Sequence, residues 1–165
     1  MDYEKIEETY NYLSKNNMKT MILGISGGID STITSSICYE ITKRYSKDNI
    51  KFIGVNLPCS SNTNEENNSA LNTMKTFCKK DNYWIQNLEK EYKLLKSICE
   101  LHSTSTKISQ GNIKARLRMI YLYNLSSTLN GIVIDTDNLT EYYLGFFTIN
   151  CDMGDFNPIV WSLET

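Results

Sequence analysis

Short apolar runs and stretches of helical periodicity alternate along the chain, and together they predict its secondary structure. Four runs are short, apolar and rich in aliphatic or aromatic residues, which is typical of buried strands. The predicted strands are Lys19–Ile25, Ile50–Leu57, Tyr83–Leu88 and Gly131–Asp135. In the segments around them, apolar residues recur every three or four positions and predict helices. The predicted helices are an opening one marked by Tyr3, Ile6, Tyr10 and Leu13, then Asp30–Tyr45, Ala70–Lys80, one marked by Tyr92, Leu95 and Ile98, and Asn112–Leu129.

The order of these elements predicts the fold class. Strands that alternate with helices indicate an α/β protein with a Rossmann-like parallel sheet and helices on both faces. In such sheets ligands bind beyond the carboxyl ends of the strands, where the strand order reverses. The turns after the first and fourth strands, at Ser26 and Thr136, are therefore expected at one edge of the sheet. We expect a single domain over residues 1–165, because a chain of this length suits one core.

Two polar stretches predict surface loops. Cys59–Asn68 is rich in Ser, Asn and Glu and low in apolar residues, which favours a mobile surface segment. His102–Ser109 follows the fourth predicted helix and contains a run of hydroxyl residues. The single histidine, His102, is therefore expected to be solvated or structural rather than catalytic.

Composition narrows the classes of function. The net charge is −2, whereas nucleic-acid-binding surfaces usually show an excess of basic residues. No apolar run approaches the ~20 residues that are needed to cross a bilayer. The first residues do not resemble a signal peptide, since no apolar segment follows a basic start. We therefore expect a cytoplasmic protein without nucleic-acid or membrane partners. The 5 cysteines are widely spaced and form no Cys-x-x-Cys pair, which predicts reduced thiols rather than disulfides or a zinc site.

A glycine-rich turn, Gly24–Ser31, follows the first strand and opens the second helix, and it predicts an anion-binding site. The adjacent Gly27 and Gly28 let the backbone turn without a Cβ in the way, so N–H groups can point at a ligand. The helix that follows adds its unpaired N–H groups and the positive end of its dipole. Ser26 and Ser31 add hydroxyls that can reach phosphate oxygens.

Asp30 is the unusual member of this turn. A carboxylate among phosphate-binding groups is repelled by the phosphates unless it has a second role. It can cap the helix, or it can hold a metal ion between itself and the phosphates. The residues alone leave both roles open.

The stretch Gln110–Met119 is rich in polar and basic side chains. Asn112 and Arg116 are four positions apart and share one face of the predicted helix, whereas Lys114 and Arg118 share another. The first face can offer an amide and a guanidinium to an anionic ligand, and the second is expected to stay in solvent. Basic residues on a helix more often form a solvated face, so this stretch predicts no site by itself.

A third informative stretch begins at the end of the fourth strand. Thr136 stands at the strand end, where a hydroxyl suits a nucleotide phosphate. Glu141 follows one helical turn later. A carboxylate near phosphates suits Mg²⁺, which prefers hard oxygen ligands. Together with the glycine-rich turn, this stretch predicts a nucleotide site at the strand ends.

The motifs resemble those of a known family. Ser-Gly-Gly-Ile-Asp-Ser is similar to the pyrophosphate loop of the N-type ATP pyrophosphatases, whose fold is the adenine nucleotide alpha hydrolase-like one. Gly-Asn-Ile-Lys-Ala-Arg-Leu-Arg-Met, Thr-Asp-Asn-Leu-Thr-Glu and Gly-Phe-Phe-Thr resemble signatures of the NAD⁺ synthetases in order and spacing. The resemblance spans Met18–Pro158, and the later signatures separate this family from the other pyrophosphate-loop enzymes.

The resemblance implies a role for each matching residue. The implied ATP-binding residues are Gly24, Ile25, Ser26, Gly27, Gly28, Ile29, Asp30, Ser31 and Thr136. The implied ligands of Mg²⁺ are Asp30 and Glu141, and these two residues with Ser26 form the implied catalytic set. The implied residues for deamido-NAD⁺ are Asn112, Arg116 and Asp155.

The resemblance also implies an activity. Family members amidate deamido-NAD⁺ with ATP as co-substrate, through an acyl-adenylate, and release pyrophosphate and AMP. Only residues 1–23 precede the loop, which leaves no room for a glutaminase domain, so free ammonia is the expected nitrogen donor. A homodimer is implied in the same way.

The sequence departs from the family pattern at three places, which leaves alternatives open. Ile149 stands where the family has a lysine for the dinucleotide, and Asp152–Asp155 is one residue shorter than the family's Asp-Gly-Gly-x-Asp. Residues 159–165 contain no lysine where the family has one for ATP, and we expect the chain to lack the family's C-terminal segment. The alternatives are a catalytically impaired nucleotide-binding remnant or partner subunit, and a different pyrophosphate-loop enzyme.

Overall fold

The computed structural model describes residues 3–59, 62–145, 147–149 and 154–159. The strands are β1 (Thr20–Gly24), β2 (Lys51–Asn56), β3 (Tyr83–Ile85) and β4 (Gly131–Ile134). The helices are α1 (Tyr3–Lys15), α2 (Ile29–Arg44), α3 (Asn64–Phe77), α4 (Glu89–Cys99), α5 (Lys107–Thr128) and α6 (Leu139–Leu144). Expectations for Phe146, Cys151, Asp152, Met153 and residues 160–165 lie outside the described residues.

The strands form one parallel sheet in the order β3-β2-β1-β4. Leu23 of β1 lies between Gly54 of β2 and Ile134 of β4. The chain therefore builds outward from β1 through β2 to β3 and then crosses back to place β4 on the other side of β1. The strand order reverses between β1 and β4, so this is the place where a ligand site is expected.

Helices cover both faces of the sheet, which confirms the predicted fold class. Alternate residues of β1 point to opposite faces, as strand geometry requires. Met21 packs in one core with the inward residues of α1, α2 and α3, including Ile6, Ile41 and Met74. Ile22 packs in a second core with residues of α4 and α5, which include Tyr92 and Ile113. In the described part of the chain, no helix is long and apolar enough to cross a membrane.

The predicted loop Cys59–Asn68 was wrong in its second half. α3 begins at Asn64, because Thr63 and Glu66 form a capping box: the Thr63 hydroxyl accepts the Glu66 N–H at 3.1 Å, and the Glu66 carboxylate accepts the Thr63 N–H at 2.7 Å. The first two turns of α3 are polar and exposed, so they carry no apolar periodicity. The predicted loop His102–Ser109 likewise ends early, since Thr106 caps α5 through the N–H of Ser109.

Replacing Thr63 with Ala is expected to lower the free energy of unfolding by about 1 kcal/mol, the typical contribution of a helix cap. Thr76→Ala is the matched control, because the exposed Thr76 hydroxyl bonds, among the described residues, only to the Asn72 carbonyl of the same helix. Urea unfolding monitored by circular dichroism measures both variants. Equal stability of the two variants would contradict the capping assignment.

Candidate functional site

A cleft of about 240 Å³ opens at the carboxyl ends of β1, β2 and β4. This volume is slightly below the ~300–1,000 Å³ that is usual for ligand pockets. The end of β1 and the turn after it contribute Gly24, Ile25 and Ser26, and the end of β4 and the segment after it contribute Val133–Asp137. The predicted meeting of Ser26 and Thr136 at one edge of the sheet is therefore confirmed. The remaining lining residues are Val55, Asn56, Leu57, Asn62, Ala115, Arg118, Met119, Leu122 and Gly154.

The glycine-rich turn is held against α3 by contacts that only glycine permits. Gly27 has φ +95°, in the region that favours glycine. A Cβ on Gly27 would lie 2.4 Å from the carbonyl oxygen of Glu66 and 3.0 Å from the amide nitrogen of Ala70. The hydroxyl of Ser69 donates to the Gly27 carbonyl at 2.8 Å. The conformation of the turn is thus fixed by a helix that is remote from it in sequence.

The serine hydroxyls of the turn bond within the turn itself. The Ser26 Oγ accepts the Gly28 N–H at 3.2 Å, and the Ser31 hydroxyl donates to the Gly28 carbonyl at 3.0 Å. Ser26 is exposed, but Ser31 is buried. Of the two hydroxyls that were predicted to reach phosphate, only Ser26 therefore faces the cleft.

No side chain of the described residues caps the N-terminus of α2. Gly28 is the N-cap residue, and Asp30 is the second residue of the helix, so the alternative that Asp30 caps the helix is wrong. The Asp30 carboxylate is half-buried and makes no hydrogen bond to another described residue. By contrast, side chains cap the first turns of α3, α5 and α6. The first-turn N–H groups of α2 and the Asp30 carboxylate are therefore available to a ligand.

Asp135 shapes the other wall of the cleft, where β4 ends. Its buried carboxylate accepts the N–H of Asp137 at 2.9 Å and also bonds the backbone amides of Gly154 and Thr136. Burial raises the pKa of the Asp135 carboxyl above its usual value of 3.8, although these hydrogen bonds lower it. The side-chain amide of Asn157 donates to the Asp137 carbonyl at 2.8 Å. This network fixes the backbone of Thr136 in the cleft wall.

Asp135→Asn is expected to destabilise the protein more near pH 4 than near pH 7. Because the pKa of Asp135 is raised in the folded state, that state binds more protons than the unfolded chain just above pH 3.8. The resulting stabilisation is present below the unfolded pKa and is lost as pH rises through the folded pKa. The Asn variant lacks this contribution. Urea unfolding of both proteins across this range measures the difference, and a constant difference would contradict the assignment.

Arg118 faces the cleft, so the expectation that its side of α5 stays in solvent was wrong. Its Nε donates to the Leu57 carbonyl at 3.1 Å, and its Nη2 donates to Oδ1 of Asn62 at 3.3 Å. The ammonium of Lys114 lies 4.8 Å from the centre of the Tyr92 ring and is also held by the protein. The spacing predicted correctly that the two pairs of side chains lie on different faces of α5. It assigned the inward face to Asn112 and Arg116, whereas Arg118 of the other pair lines the cleft.

Asn112 and Arg116 lie on α5 outside the lining of the cleft. The hydroxyl of Thr148 donates to Asn112 Oδ1 at 2.9 Å, and Arg116 Nη2 donates to the Ile149 carbonyl at 3.3 Å. Arg116 is exposed. Two of the three predicted dinucleotide residues therefore contact the segment that follows α6.

Glu141 and Asp155 also form contacts within the protein. A Glu141 carboxylate oxygen accepts the N–H of Asn138 at 3.0 Å in the capping box of α6. The Asp155 carboxylate accepts the N–H of Val133 at 2.8 Å and bonds the Tyr123 hydroxyl. Burial, together with the charge of Asp155, raises the pKa of Tyr123 to about 12. Neither carboxylate lines the cleft between β1, β2 and β4.

The four described cysteines and His102 do not line the cleft. Cys38, Cys59 and Cys78 are buried free thiols, and burial raises the pKa of each. Cys99 is an exposed free thiol, and His102 is exposed as well. The predicted exposure of His102 is therefore confirmed.

The fold and the site define a class of protein: a parallel α/β protein whose glycine-rich turn and uncapped helix lie at the switch point of the sheet, as in phosphate-binding proteins. Comparison with known proteins gives the family. A sequence profile described as NAD synthase matches residues 3–163. The chain belongs to the NAD synthase family.

Three relatives give the extent of the similarity. The NH(3)-dependent NAD(+) synthetase of Limosilactobacillus fermentum is 32% identical over 163 residues, which cover 94% of this chain and 58% of that protein. The NH3-dependent NAD synthetase of Campylobacter jejuni, solved with the nitrate ion, is 28% identical with a TM-score of 0.80 and covers 96% of this chain and 67% of that one. The NMN synthetase of Francisella tularensis is 28% identical with a TM-score of 0.77, covering 96% and 64%. The chain thus spans about 58% of the length of the curated relative that it matches.

Proposed function

We propose that this protein amidates deamido-NAD⁺ to NAD⁺ with ammonia and ATP. In the first step the nicotinate carboxylate attacks the α-phosphorus of ATP, and the bond to the β-phosphate oxygen breaks to release pyrophosphate. In the second step ammonia attacks the carbonyl carbon of the acyl-adenylate, AMP leaves, and the nitrogen gives up a proton. The products are NAD⁺, AMP and pyrophosphate in equal amounts.

One observation carries this proposal. Gly24, Ile25 and Ser26 of the glycine-rich turn line one cleft with Thr136 at the switch point of the sheet, and the uncapped α2 begins at the end of the same turn. Free main-chain N–H groups and a helix dipole stabilise phosphate oxygens without any basic side chain. Family membership favours ATP as the adenylyl donor.

The residues of the site fit a magnesium ion. Mg²⁺ binds one or two carboxylates together with substrate phosphates and water, and Asp30 offers a half-buried carboxylate that makes no hydrogen bond to the other described residues. One Glu141 oxygen accepts the Asn138 N–H in the helix cap, and the second makes no hydrogen bond to another described residue. We propose Asp30 and Glu141 as the protein ligands. A bound Mg²⁺ would neutralise charge on the departing pyrophosphate.

The protein itself contributes position and charge complementarity rather than a nucleophile. We assign the turn Gly24–Ser31 and Thr136 to ATP, and Asn112, Arg116 and Asp155 to deamido-NAD⁺. The acceptor carboxylate and ammonia are themselves the nucleophiles, so no side chain has to form a bond. Ser26 is assigned to the reacting phosphates because its hydroxyl faces the cleft. A homodimer and a cytoplasmic location complete the proposal.

The test is turnover by the purified protein of 165 residues. With MgATP, deamido-NAD⁺ and ammonium, NAD⁺, AMP and pyrophosphate are expected to appear in equal amounts, measured by chromatography and a pyrophosphate assay. Nicotinate mononucleotide is tested as an acceptor in the same assay, because the NMN synthetase of Francisella tularensis is as similar to this chain, at 28% identity, as the NAD synthetase of Campylobacter jejuni. Pyrophosphate release with another acceptor only would overturn the choice of substrate.

A second candidate is a member of the family that binds nucleotide but does not turn it over alone. Ile149 stands where the family has a lysine for the dinucleotide, which favours this candidate. ATP binding without product in the assay above would decide for it. Turnover restored by a full-length family member would identify a partner subunit.

A further inference from the structure

Arg118 is a half-buried cation in the wall of the cleft. It is the one basic side chain among the described residues that line this cleft, where Asp135 and Asp137 are the acidic ones. Buried guanidinium groups are usually paired with a carboxylate. Here the described partners are a carbonyl and an amide oxygen, neither of which carries a charge.

The contacts of Arg118 also leave part of its hydrogen-bonding capacity for a ligand. A guanidinium has five N–H donors, and the contacts to Leu57 and Asn62 use one on Nε and one on Nη2. Nη1 has no bond to another described residue. A cation with free donors in a ligand cleft matches the planar recognition of a phosphate group.

The position of Arg118 is fixed relative to the glycine-rich turn. Leu57, its acceptor, directly follows Asn56, whose side-chain amide donates to the Ile25 carbonyl at 2.7 Å. Ile25 in turn precedes Ser26 of the turn. Two hydrogen bonds and two steps along the backbone therefore connect the guanidinium to Ser26, where phosphates are expected.

We propose that Arg118 binds a phosphate group of the nucleotide, in addition to holding the segment after β2. This inference rests on the proposed ATP site. A triphosphate brings up to four negative charges, so a cation in the cleft stabilises it by charge-assisted hydrogen bonds. Arg118 acts on the charged part of the nucleotide and not on the nucleoside.

Two probes separate phosphate binding from a purely structural role. Titration calorimetry of the full chain with MgATP and with adenosine measures both affinities for the wild type and for Arg118→Gln. We expect the variant to bind MgATP about 10- to 100-fold more weakly, as the loss of a charge-assisted hydrogen bond implies. Adenosine affinity is expected to change less than about twofold. An equal loss of affinity for MgATP and for adenosine, or an unchanged affinity for MgATP, would overturn the inference.

Two further variants serve as controls. Lys107→Gln removes the same charge from an exposed position at the start of α5 and is expected to bind both probes like the wild type. Asn62→Ala removes the contact at 3.3 Å but keeps the cation. It is expected to keep the wild-type ratio of MgATP to adenosine affinity. A ratio as low as that of Arg118→Gln would show that the contact with Asn62, and not the charge of Arg118, determines the affinity for MgATP.

The outcomes for the inference and for the proposed function are distinct. A wild-type protein that binds no MgATP overturns both. A wild-type protein that binds MgATP, with an Arg118→Gln variant that binds it equally, overturns only the role of Arg118. If Arg118→Gln does not fold, Arg118→Lys decides: it keeps the charge but loses the planar guanidinium, so MgATP is expected to bind about fivefold more weakly with unchanged adenosine affinity. Unchanged MgATP affinity in that variant would overturn the inference. Parallel loss of both affinities in that variant would overturn the inference.

Discussion

Replacing Gly27 with Ala is expected to lower the free energy of unfolding by about 3 kcal/mol and to remove MgATP binding. The φ of +95° disfavours any residue with a Cβ, and the added methyl group would lie 2.4 Å from the Glu66 carbonyl oxygen. That oxygen belongs to the backbone of α3, so no side-chain rotation relieves the overlap. The turn and the start of α3 must therefore separate. Separation also breaks the hydrogen bond from Ser69 to the Gly27 carbonyl.

Gly28→Ala is the matched control. The φ of Gly28 is −76°, which alanine adopts readily, and its added Cβ would meet only the Ser26 Oγ at 3.4 Å. We expect this variant to unfold within about 1 kcal/mol of the wild type, since Gly-to-Ala changes at permitted angles are small. Urea unfolding and calorimetry with MgATP measure both variants. If Gly27→Ala matched Gly28→Ala in stability, the close packing of the turn on α3 would be disproved.

The sheet and its switch point were predictable because their signals are local. Each strand is a short apolar run, and the glycine-rich turn stands directly between a strand and a helix. A parallel connection then follows from the intervening helices. The position of Ser26 and Thr136 at one edge required no knowledge of long-range contacts, only the rule that the carboxyl ends of parallel strands face the same way.

The start of α3 was missed although its signal is in the sequence. Thr63 and Glu66 have the Thr-x-x-Glu spacing of a capping box. The search for apolar periodicity overlooked it because the first buried residue of α3 is Ala70. Polar helices are stabilised at their ends, so a cap can define the start of a helix where periodicity does not.

The inward side of α5 shows a different limit. Spacing gives the residues that share a helix face, but the rotation of the helix about its axis is set by the sheet beneath it. Arg118 is four residues before Leu122 and seven before Leu125, both of which are partly buried and pack against the core. This stripe could have placed Arg118 on the inward side. The roles of Asp135 and Asp155 had no such signal, because their partners come from distant segments.

Asp30→Asn is expected to slow pyrophosphate release about 100- to 1,000-fold while folding is retained. A charge contact that stabilises the transition state typically contributes this much. Asp30 makes no hydrogen bond to another described residue, so the protein loses no internal bond. The loss of a negative charge in the first turn of α2 costs about 0.3–1 kcal/mol of stability. The measurement is pyrophosphate release against magnesium concentration, with urea unfolding alongside.

Glu91→Gln is the matched control for Asp30→Asn, because Glu91 is an exposed carboxylate in the first turn of α4, away from the cleft. Glu91 interacts with the dipole of its helix as Asp30 does, but it is not proposed to bind the ion. Turnover by Glu91→Gln is therefore expected to equal that of the wild type. If Asp30 holds the ion, the magnesium concentration for half-maximal rate must also rise in Asp30→Asn. A variant with wild-type rate and wild-type magnesium dependence would show that Asp30 stabilises only the helix. The charge of the phosphates would then be balanced elsewhere, by the N–H groups of α2 and by Arg118.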